Sequence, residues 1–258
     1  MPVASNIERL NSNGDSNGDG LPINELFLSV QGEGKLAGIP SIFIRTSGCN
    51  LRCWFCDSYH TSWEPSGAWV SIDNIVAEVL TYEHVNHVVV TGGEPMVHDE
   101  LVDLLDELSE YGYHTTIETN GTVHRDAAID LASISPKLSS STPTEALDPK
   151  GDGEWAERHE DRRIDFQSLA ALVDAYESQL KFVVTGAEDV PEIGRLVDCV
   201  REAADRPVAA EDVLLMPEGA TRDELDTKRN DVAELALKHG YRYTPRLHVD
   251  LWNDAPGT

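Results

Sequence analysis

The sequence predicts an α/β fold organised on a parallel sheet, and three observations carry that expectation. From Ile39 onward, short runs of β-branched and apolar residues alternate with stretches of helical apolar periodicity, the pattern of strand–helix units that lay strands side by side. The segment Val85–Val90 closes on three consecutive valines followed by Thr91-Gly92-Gly93, which reads as a strand covered on both faces. A length of 258 residues is enough for one full core in a single domain.

Taken in order, residues 1–20 carry the polar tract Asn11–Gly20 and bury too little to offset ordering entropy, so they read as a disordered tail ahead of one domain at 21–258. The Asp/Asn/Gly run lacks the closing glutamate and flanking helices of a calcium loop. Ser41–Arg45 is a strand. Ser71 caps a helix whose residues Ile72, Ile75, Val76, Val79 and Leu80 share one face. Val85–Val90 is the next strand, and a helix carrying Leu101, Leu104, Leu105 and Leu108 follows and stops at Gly112. Tyr113–Glu118, Leu131–Ser135, Leu180–Thr185 and Val213–Met216 are further strands, separated later by helices at Leu169–Tyr176, Val190–Ala204 and Arg222–His239. Cys199 falls beside the apolar stripe of the second of these and reads as a small buried hydrophobe. The stretch 139–165, Ser/Thr/Pro-rich and then charged, is too long for an ordinary loop. It is either a lid over a site at Ser135-Pro136-Lys137 or a solvated surface insertion.

The charge balance narrows the function. Forty-six acidic against twenty basic residues give a net charge of −26, with fourteen Arg to six Lys. Such a surface suits concentrated salt, where screening is short-ranged and the more weakly hydrated arginine is favoured. No cluster of Lys and Arg offers a nucleic-acid footprint, so a small-molecule substrate is expected. No apolar run approaches membrane length and no signal pattern opens the chain. A cytoplasmic protein is expected.

Cys49, Cys53 and Cys56 lie at the spacing C-x3-C-x2-C. Three soft thiolates so close in sequence can hold three irons of a 4Fe-4S cube and leave the fourth iron open to a ligand that is not protein. With His60 they could instead form a closed Cys3His zinc site, and a disulfide pair would require an oxidising compartment that four cysteines in 258 residues do not suggest. The strand ends add further candidates, because ligands of a parallel sheet sit beyond the carboxyl ends of its strands. Thr91-Gly92-Gly93-Glu94-Pro95 offers backbone bare of Cβ atoms. Glu118 offers a carboxylate able to accept two hydroxyls. Ser135-Pro136-Lys137 and Met216 end later strands.

The cysteine triad followed by Gly92-Gly93-Glu94-Pro95 resembles the radical S-adenosylmethionine (SAM) superfamily. More narrowly, the segment from Glu25 to Gly34, Phe43-Ile44-Arg45, Gly48 to Cys56 and Asp57-Ser58 resemble the start of the 7-carboxy-7-deazaguanine synthase family, in a halophilic archaeal form. The resemblance runs from Glu25 to about Trp252 and is most specific in its first third. It implies an open partial (β/α)6 barrel. It also implies a 4Fe-4S cluster on Cys49, Cys53 and Cys56, and SAM contacts from Phe55, Cys56, Asp57, Gly93, Glu118, Ser135, Pro136, Lys137 and Met216, with Gly93 meeting the methionyl amino group and Glu118 the ribose. Val30, Gln31, Gly32 and Glu33 would grip the pterin ring, Arg45 would pair with the substrate carboxylate, and Thr91 and His248 would touch the substrate. Ser58 stands where the family usually has threonine and would ligate Mg2+ more weakly.

The implied reaction is hydrogen abstraction from 6-carboxy-5,6,7,8-tetrahydropterin by a 5′-deoxyadenosyl radical, ring contraction and loss of ammonia. Its product, 7-carboxy-7-deazaguanine, would feed the archaeosine or queuosine pathways of tRNA modification. A flavodoxin or ferredoxin as electron donor and a homodimeric state are expectations from the family. Two readings compete. A radical SAM glycyl-radical activating enzyme shares the triad but has no need of Gln31-Gly32-Glu33-Gly34 with Arg45. A non-catalytic Cys3His zinc protein would leave Gly92–Pro95 and Ser135–Lys137 without a role.

Overall fold

The computed structural model describes Val3–Ala4, residues 20–253 and Ala255. The expected disordered tail therefore falls mostly outside the described residues, although Val3–Ala4 form a short strand, β1, paired antiparallel with Phe27 and Leu28. The sheet continues through β2 (Leu21–Val30), β3 (Pro40–Thr46), β5 (His87–Gly92), β6 (His114–Thr119), β7 (Leu131–Ile134), β8 (Ser178–Val184), β9 (Val213–Pro217) and β10 (Arg242–Tyr243), with β4 (Ala68–Val70) on the side of β2. From β3 to β10 every neighbouring pair is parallel, while β1, β2 and β4 are antiparallel additions. Among the described residues no pairing joins β10 back to β1 or β2, so the barrel is open.

Helices α1 (Tyr59–Ser62), α2 (Ile72–Val79), α3 (Leu101–Glu110), α4 (Ala156–Arg162), α5 (Phe166–Ala175), α6 (Val190–Ala203), α7 (Arg222–His239) and α8 (Leu247–Trp252) follow the strands. The connection from β6 to β7 has no helix. Backbone and side-chain hydrogen bonds pin it instead, including Asp130 on the Thr115 amide at 2.8 Å and the Tyr176 hydroxyl on the Arg125 carbonyl at 2.8 Å. The α2 cap forms as expected, with the Ser71 hydroxyl accepting from the Asn74 amide at 3.4 Å. Leu80 is exposed, however, because the helix ends at Val79 and the chain turns there.

Period-two alternation on the strands separates two interiors. Ile42, Ile44, Val88, Val90, Ile117, Ile134, Leu180, Phe182 and Leu215 point toward the helices and form one core with Leu101, Leu104, Leu105 and Leu108 of α3. The opposite faces carry only a small apolar cluster, Phe27, Phe43 and Val89, with the Phe27 and Phe43 rings stacked at 5.1 Å. Most other inward positions, among them Arg45, Thr91, Glu118, Ser133 and Lys181, are polar or charged, with Val183 and Met216 as apolar exceptions. A barrel interior of this kind must satisfy its polar groups, which makes it a site rather than a core.

One expectation fails. Cys199 is exposed: the buried stripe of α6 runs through Ile193, Leu196, Val197 and Val200, and Cys199 lies off that face. The stretch 139–165 is largely exposed, as a surface insertion would be. It contains a short 3-10 turn at Ser139–Ser141 and helix α4, and it packs on the loop that carries the cysteines.

Candidate active site

The carboxyl ends of the parallel strands open onto one cavity of about 500 Å³. On one side stands the loop between β3 and α1 with Cys49, Cys53 and Cys56, and on the other a ring of buried charge.

The loop is seated by close backbone approach. Gly93 donates its amide to Thr46 at 3.1 Å and Glu94 donates to Gly48 at 2.9 Å. A Cβ on Gly92, at φ +128°, would come 2.1 Å from the Thr46 oxygen, and one on Gly93 would come 2.1 Å from the Gly48 oxygen. The glycine pair is thus required first by the packing of β5 against the cysteine loop, a reason the sequence reading did not supply. Glu94 is fully buried behind it and ties the strand ends together, accepting from the Met96 amide at 3.0 Å, the Thr119 hydroxyl at 2.8 Å and the Asn120 amide at 2.6 Å.

Burial pushes Cys49 up to about 12, helped by the Glu94 carboxylate, and pushes Cys53 up to about 12 against the pull of Lys137 and a hydrogen bond from Ser141. Burial, with Asp57 beside it, raises Cys56 as well. Bare thiols here hold their protons, so a metal must displace them. Donors already address two of the sulfurs, the Leu51 amide on Cys49 at 3.4 Å and the Ser62 hydroxyl on Cys56 at 3.2 Å. Among the described residues no three His, Cys, Asp or Glu side chains gather where one metal ion could sit. Three thiols of one short loop that line one cavity are the donor set of a cube bound by one thiolate per iron corner. The thiols fit the cluster.

Two residues between the cysteines, Arg52 and Trp54, are gripped by the 139–165 stretch. The Arg52 amide donates to His159 Nδ1 at 3.1 Å, and the Arg52 guanidinium lies 4.3 Å from the centre of the Trp155 ring. Trp54 donates its indole N–H to the Ser140 carbonyl at 2.7 Å and its amide to Ser141 at 3.1 Å. His159 is fully buried, and burial lowers it to about 4.

The charged ring spans the chain. Glu33 pairs with Lys181 and, at 3.0 Å, with Arg246 Nε; Arg246 also pairs with Asp57 and donates to the Gly219 carbonyl. Lys181 lies 3.8 Å from Glu118, whose oxygens accept from Gln31 at 3.2 Å and Thr91 at 2.8 Å. Burial works to raise the Glu33 carboxyl, but Lys181, Arg246 and His248 outweigh it and hold the group well below the usual carboxylate range. Asp57 is likewise lowered, burial being overcome by Arg246. Lys181 is raised, since Glu33 and Glu118 prevail over its burial. His248 is lowered by burial against the pull of Glu33, which leaves a neutral imidazole at pH 7. It packs so closely on Gly32 that a Cβ there would come 1.8 Å from its Nδ1. Arg45 is held by Glu25 at 3.0 Å and donates to the Ser58 hydroxyl at 2.7 Å.

Of the expected site residues, all but Pro136 line this cavity; Pro136 is buried beside it. Glu118, expected at a ribose, has Gln31, Thr91 and Lys181 as its neighbours. Ser135 is engaged by Lys137, whose Nζ donates to its carbonyl at 2.9 Å and its hydroxyl at 2.7 Å. Sequence reasoning missed Lys181, Arg246 and Glu25. Lys181 carried a findable signal, a lone lysine inside a predicted apolar strand. Arg246 carried none, since its partners are remote in sequence.

Comparison with known proteins matches the Radical SAM superfamily over residues 43–188. The chain is 67% identical over 258 residues to a 7-carboxy-7-deazaguanine synthase of Halobacterium salinarum, covering 100% of both chains. It is 42% identical over 239 residues to a 7-carboxy-7-deazaguanine synthase of Rhodopirellula baltica, covering 92% of this chain and 89% of that one. The crystal structure of QueE from Escherichia coli superposes with a TM-score of 0.63 at 25% identity, covering 88% of this chain and 94% of that one.

Proposed function

The chain belongs to the radical SAM superfamily and, within it, to the 7-carboxy-7-deazaguanine synthases, and from that premise we propose that it converts 6-carboxy-5,6,7,8-tetrahydropterin to 7-carboxy-7-deazaguanine with loss of ammonia, as a carbon–nitrogen lyase of 7-deazapurine biosynthesis. The observation that carries this reading is the juxtaposition, in one cavity, of three thiols suited to a cluster and a buried ring of fixed charge suited to a polar heterocycle. When bound, the cluster and SAM supply a hydrogen-abstracting 5′-deoxyadenosyl radical.

The protein's own part is to bind, orient and keep dry. Cys49, Cys53 and Cys56 hold the cluster, with His60, an exposed side chain, uninvolved. Phe55, Asp57, Gly93, Ser135, Lys137 and Met216 surround SAM. Glu33, held ionised by Lys181 and Arg246, is an acceptor for the N–H donors of the pterin edge, with Val30, Gln31, Gly32, Glu118, Thr91 and His248 completing the pocket. Arg45 turns a planar fork toward the substrate carboxylate, a task lysine performs poorly. A Mg2+ ion at Ser58 would compete with the Arg45 hydrogen bond on that hydroxyl, so its affinity depends on substrate drawing Arg45 away. A flavodoxin or ferredoxin as donor, a homodimer, and a cytoplasmic setting of high salt complete the reading; no helix among the described residues is long and apolar enough to cross a membrane.

The test is anaerobic incubation of the reconstituted protein with SAM, a low-potential reductant, Mg2+ and the carboxylated tetrahydropterin, read by mass spectrometry. Formation of 7-carboxy-7-deazaguanine is expected. SAM cleavage with the pterin recovered unchanged would refute the substrate assignment.

A further inference from the structure

Lys181 enters the cavity from the middle of β8, while its neighbours Leu180 and Phe182 point the other way into the core. Its side chain is 7% exposed. An ammonium carries three N–H donors and no acceptor. The Lys181 ammonium bonds to Glu33 Oε2, and Glu118 Oε1 stands at 3.8 Å, too far for a hydrogen bond. Glu118 is engaged elsewhere, its oxygens accepting from Gln31 at 3.2 Å and Thr91 at 2.8 Å. The two carboxylates keep Lys181 charged, and a buried charge with donors to spare costs free energy until an acceptor arrives. Arg246, which also pairs with Glu33, has each of its three guanidinium nitrogens engaged: Nε with Glu33 at 3.0 Å, and the two Nη atoms with the Gly219 carbonyl and Asp57. Spare hydrogen-bonding capacity beside Glu33 therefore belongs to Lys181.

A ligand that fills this corner meets an acceptor and a donor side by side: the Glu33 carboxylate takes N–H groups, and the Lys181 ammonium gives to an oxygen. A cyclic amide offers the complement, an N–H and a C=O on adjacent atoms. The pterin ring carries such an edge, with its 2-amino group and N3–H next to the carbonyl oxygen at position 4. We propose that Lys181 is a specificity-determining residue that donates a hydrogen bond to the pterin 4-carbonyl oxygen while Glu33 accepts from the N–H groups beside it. The inference rests on the reading that a carboxylated pterin is the substrate and that Glu33 faces its N–H edge. It divides recognition between the two ends of the ligand. Arg45 answers the carboxylate, whereas Lys181 and Glu33 tell an amide edge from that of a 4-amino ring, which would bring an amino donor against the ammonium. A site built to hydrogen-bond one group rejects the analogue that lacks it, because its own buried polar atoms are left unpaired.

The test measures binding without turnover. The full chain, reconstituted anaerobically with its cluster and supplied with SAM and Mg2+ but no reductant, is titrated calorimetrically at pH 7 with two ligands. One is 6-carboxypterin; the other is 2,4-diaminopteridine-6-carboxylic acid, which keeps the carboxylate and differs at position 4 and in the proton on N3. The parent should favour 6-carboxypterin by at least about tenfold, and Lys181→Met should lose about tenfold to hundredfold in affinity for it, the range of a hydrogen bond to a charged group. The same variant should lose less than about threefold toward the diamino acid, which has no oxygen to offer Lys181. Lys181→Gln, which keeps an N–H donor without the charge, should fall between parent and Lys181→Met. An equal loss toward both acids would show that Lys181 only holds Glu33 in place and would overturn the proposal, as would unchanged affinity for 6-carboxypterin in Lys181→Met. A parent that binds the diamino acid as tightly as 6-carboxypterin would also overturn it, a result that needs no variant to fold. A parent that takes up its cluster and binds neither acid would instead refute the pterin reading, which keeps the two failures apart.

Discussion

Replacing Arg246 by methionine probes the buried charge ring directly. Arg246 is 8% exposed and pairs with Glu33, itself 10% exposed. Removing one partner of a buried pair costs about 3–5 kcal/mol, because the other charge stays behind uncompensated. Lys181 remains against Glu33 and keeps part of that compensation, which places the expected loss near the lower limit. The Asp57 side chain is 47% exposed and adds no more than about 1 kcal/mol after solvent screening. The expected destabilisation is therefore about 3 kcal/mol, a large share of the ~5–15 kcal/mol that holds a typical domain together. Urea unfolding of the apo chain in molar potassium chloride measures it, with an unchanged m-value as the check that only stability moved. Glu33→Gln in the Arg246→Met background should recover a coupling energy of about 1 kcal/mol or more. A loss below about 1 kcal/mol, or strict additivity of the two changes, would show that the ring is not a compensated unit.

Arg45→Lys should impair turnover much more than SAM binding, since a point charge replaces a planar fork; kinetics at saturating SAM that show unchanged substrate affinity and rate would remove Arg45 from the carboxylate. His87 is buried, bonded to Ser41 and Thr116, and lowered to about 4 by burial and the neighbouring His114. The unfolded chain therefore binds this proton first, so stability is complete above pH 6.5 and falls as pH drops toward about 4, by up to about 3 kcal/mol; His87→Asn should flatten that slope, and an unchanged slope would contradict the assignment. Gly93→Ala drives a methyl to within 2.1 Å of the Gly48 oxygen and should abolish iron uptake while the chain stays folded by circular dichroism. With 46 acidic and 20 basic residues, the melting temperature should climb between about 0.1 and 1 M potassium chloride as the screening length falls from about 10 to about 3 Å, and a flat or falling curve would remove the salt adaptation.

Much of the scaffold was legible because apolar residues report burial locally. The valines before Thr91 and the leucines of α3 lie where alternation and helical period put them. Strand β2 was harder to read, since Pro22 and Asn24 interrupt its alternation and the register shifts between Ile23 and Glu25. The cysteine loop and the strand-end residues were legible as a set, because one short motif carries the thiols and the cavity follows from the sheet. The charge ring was not. Glu33 and Arg246 are 213 residues apart, and an isolated arginine near a chain end is indistinguishable from a solvated one until the fold brings its partners. The 139–165 stretch stayed ambiguous for the same reason, since its contacts with the cysteine loop, His159 with the Arg52 amide and the Ser140 carbonyl with Trp54, join residues remote in sequence.

The measurement that bears most directly on the central claim, that one cavity brings the radical source to the pterin, is the fate of ring deuterium. With carbon-deuterated 6-carboxytetrahydropterin under anaerobic turnover, the account predicts 7-carboxy-7-deazaguanine together with 5′-deoxyadenosine that carries the label. Product formation with 5′-deoxyadenosine free of deuterium, or labelled only from solvent, would contradict it.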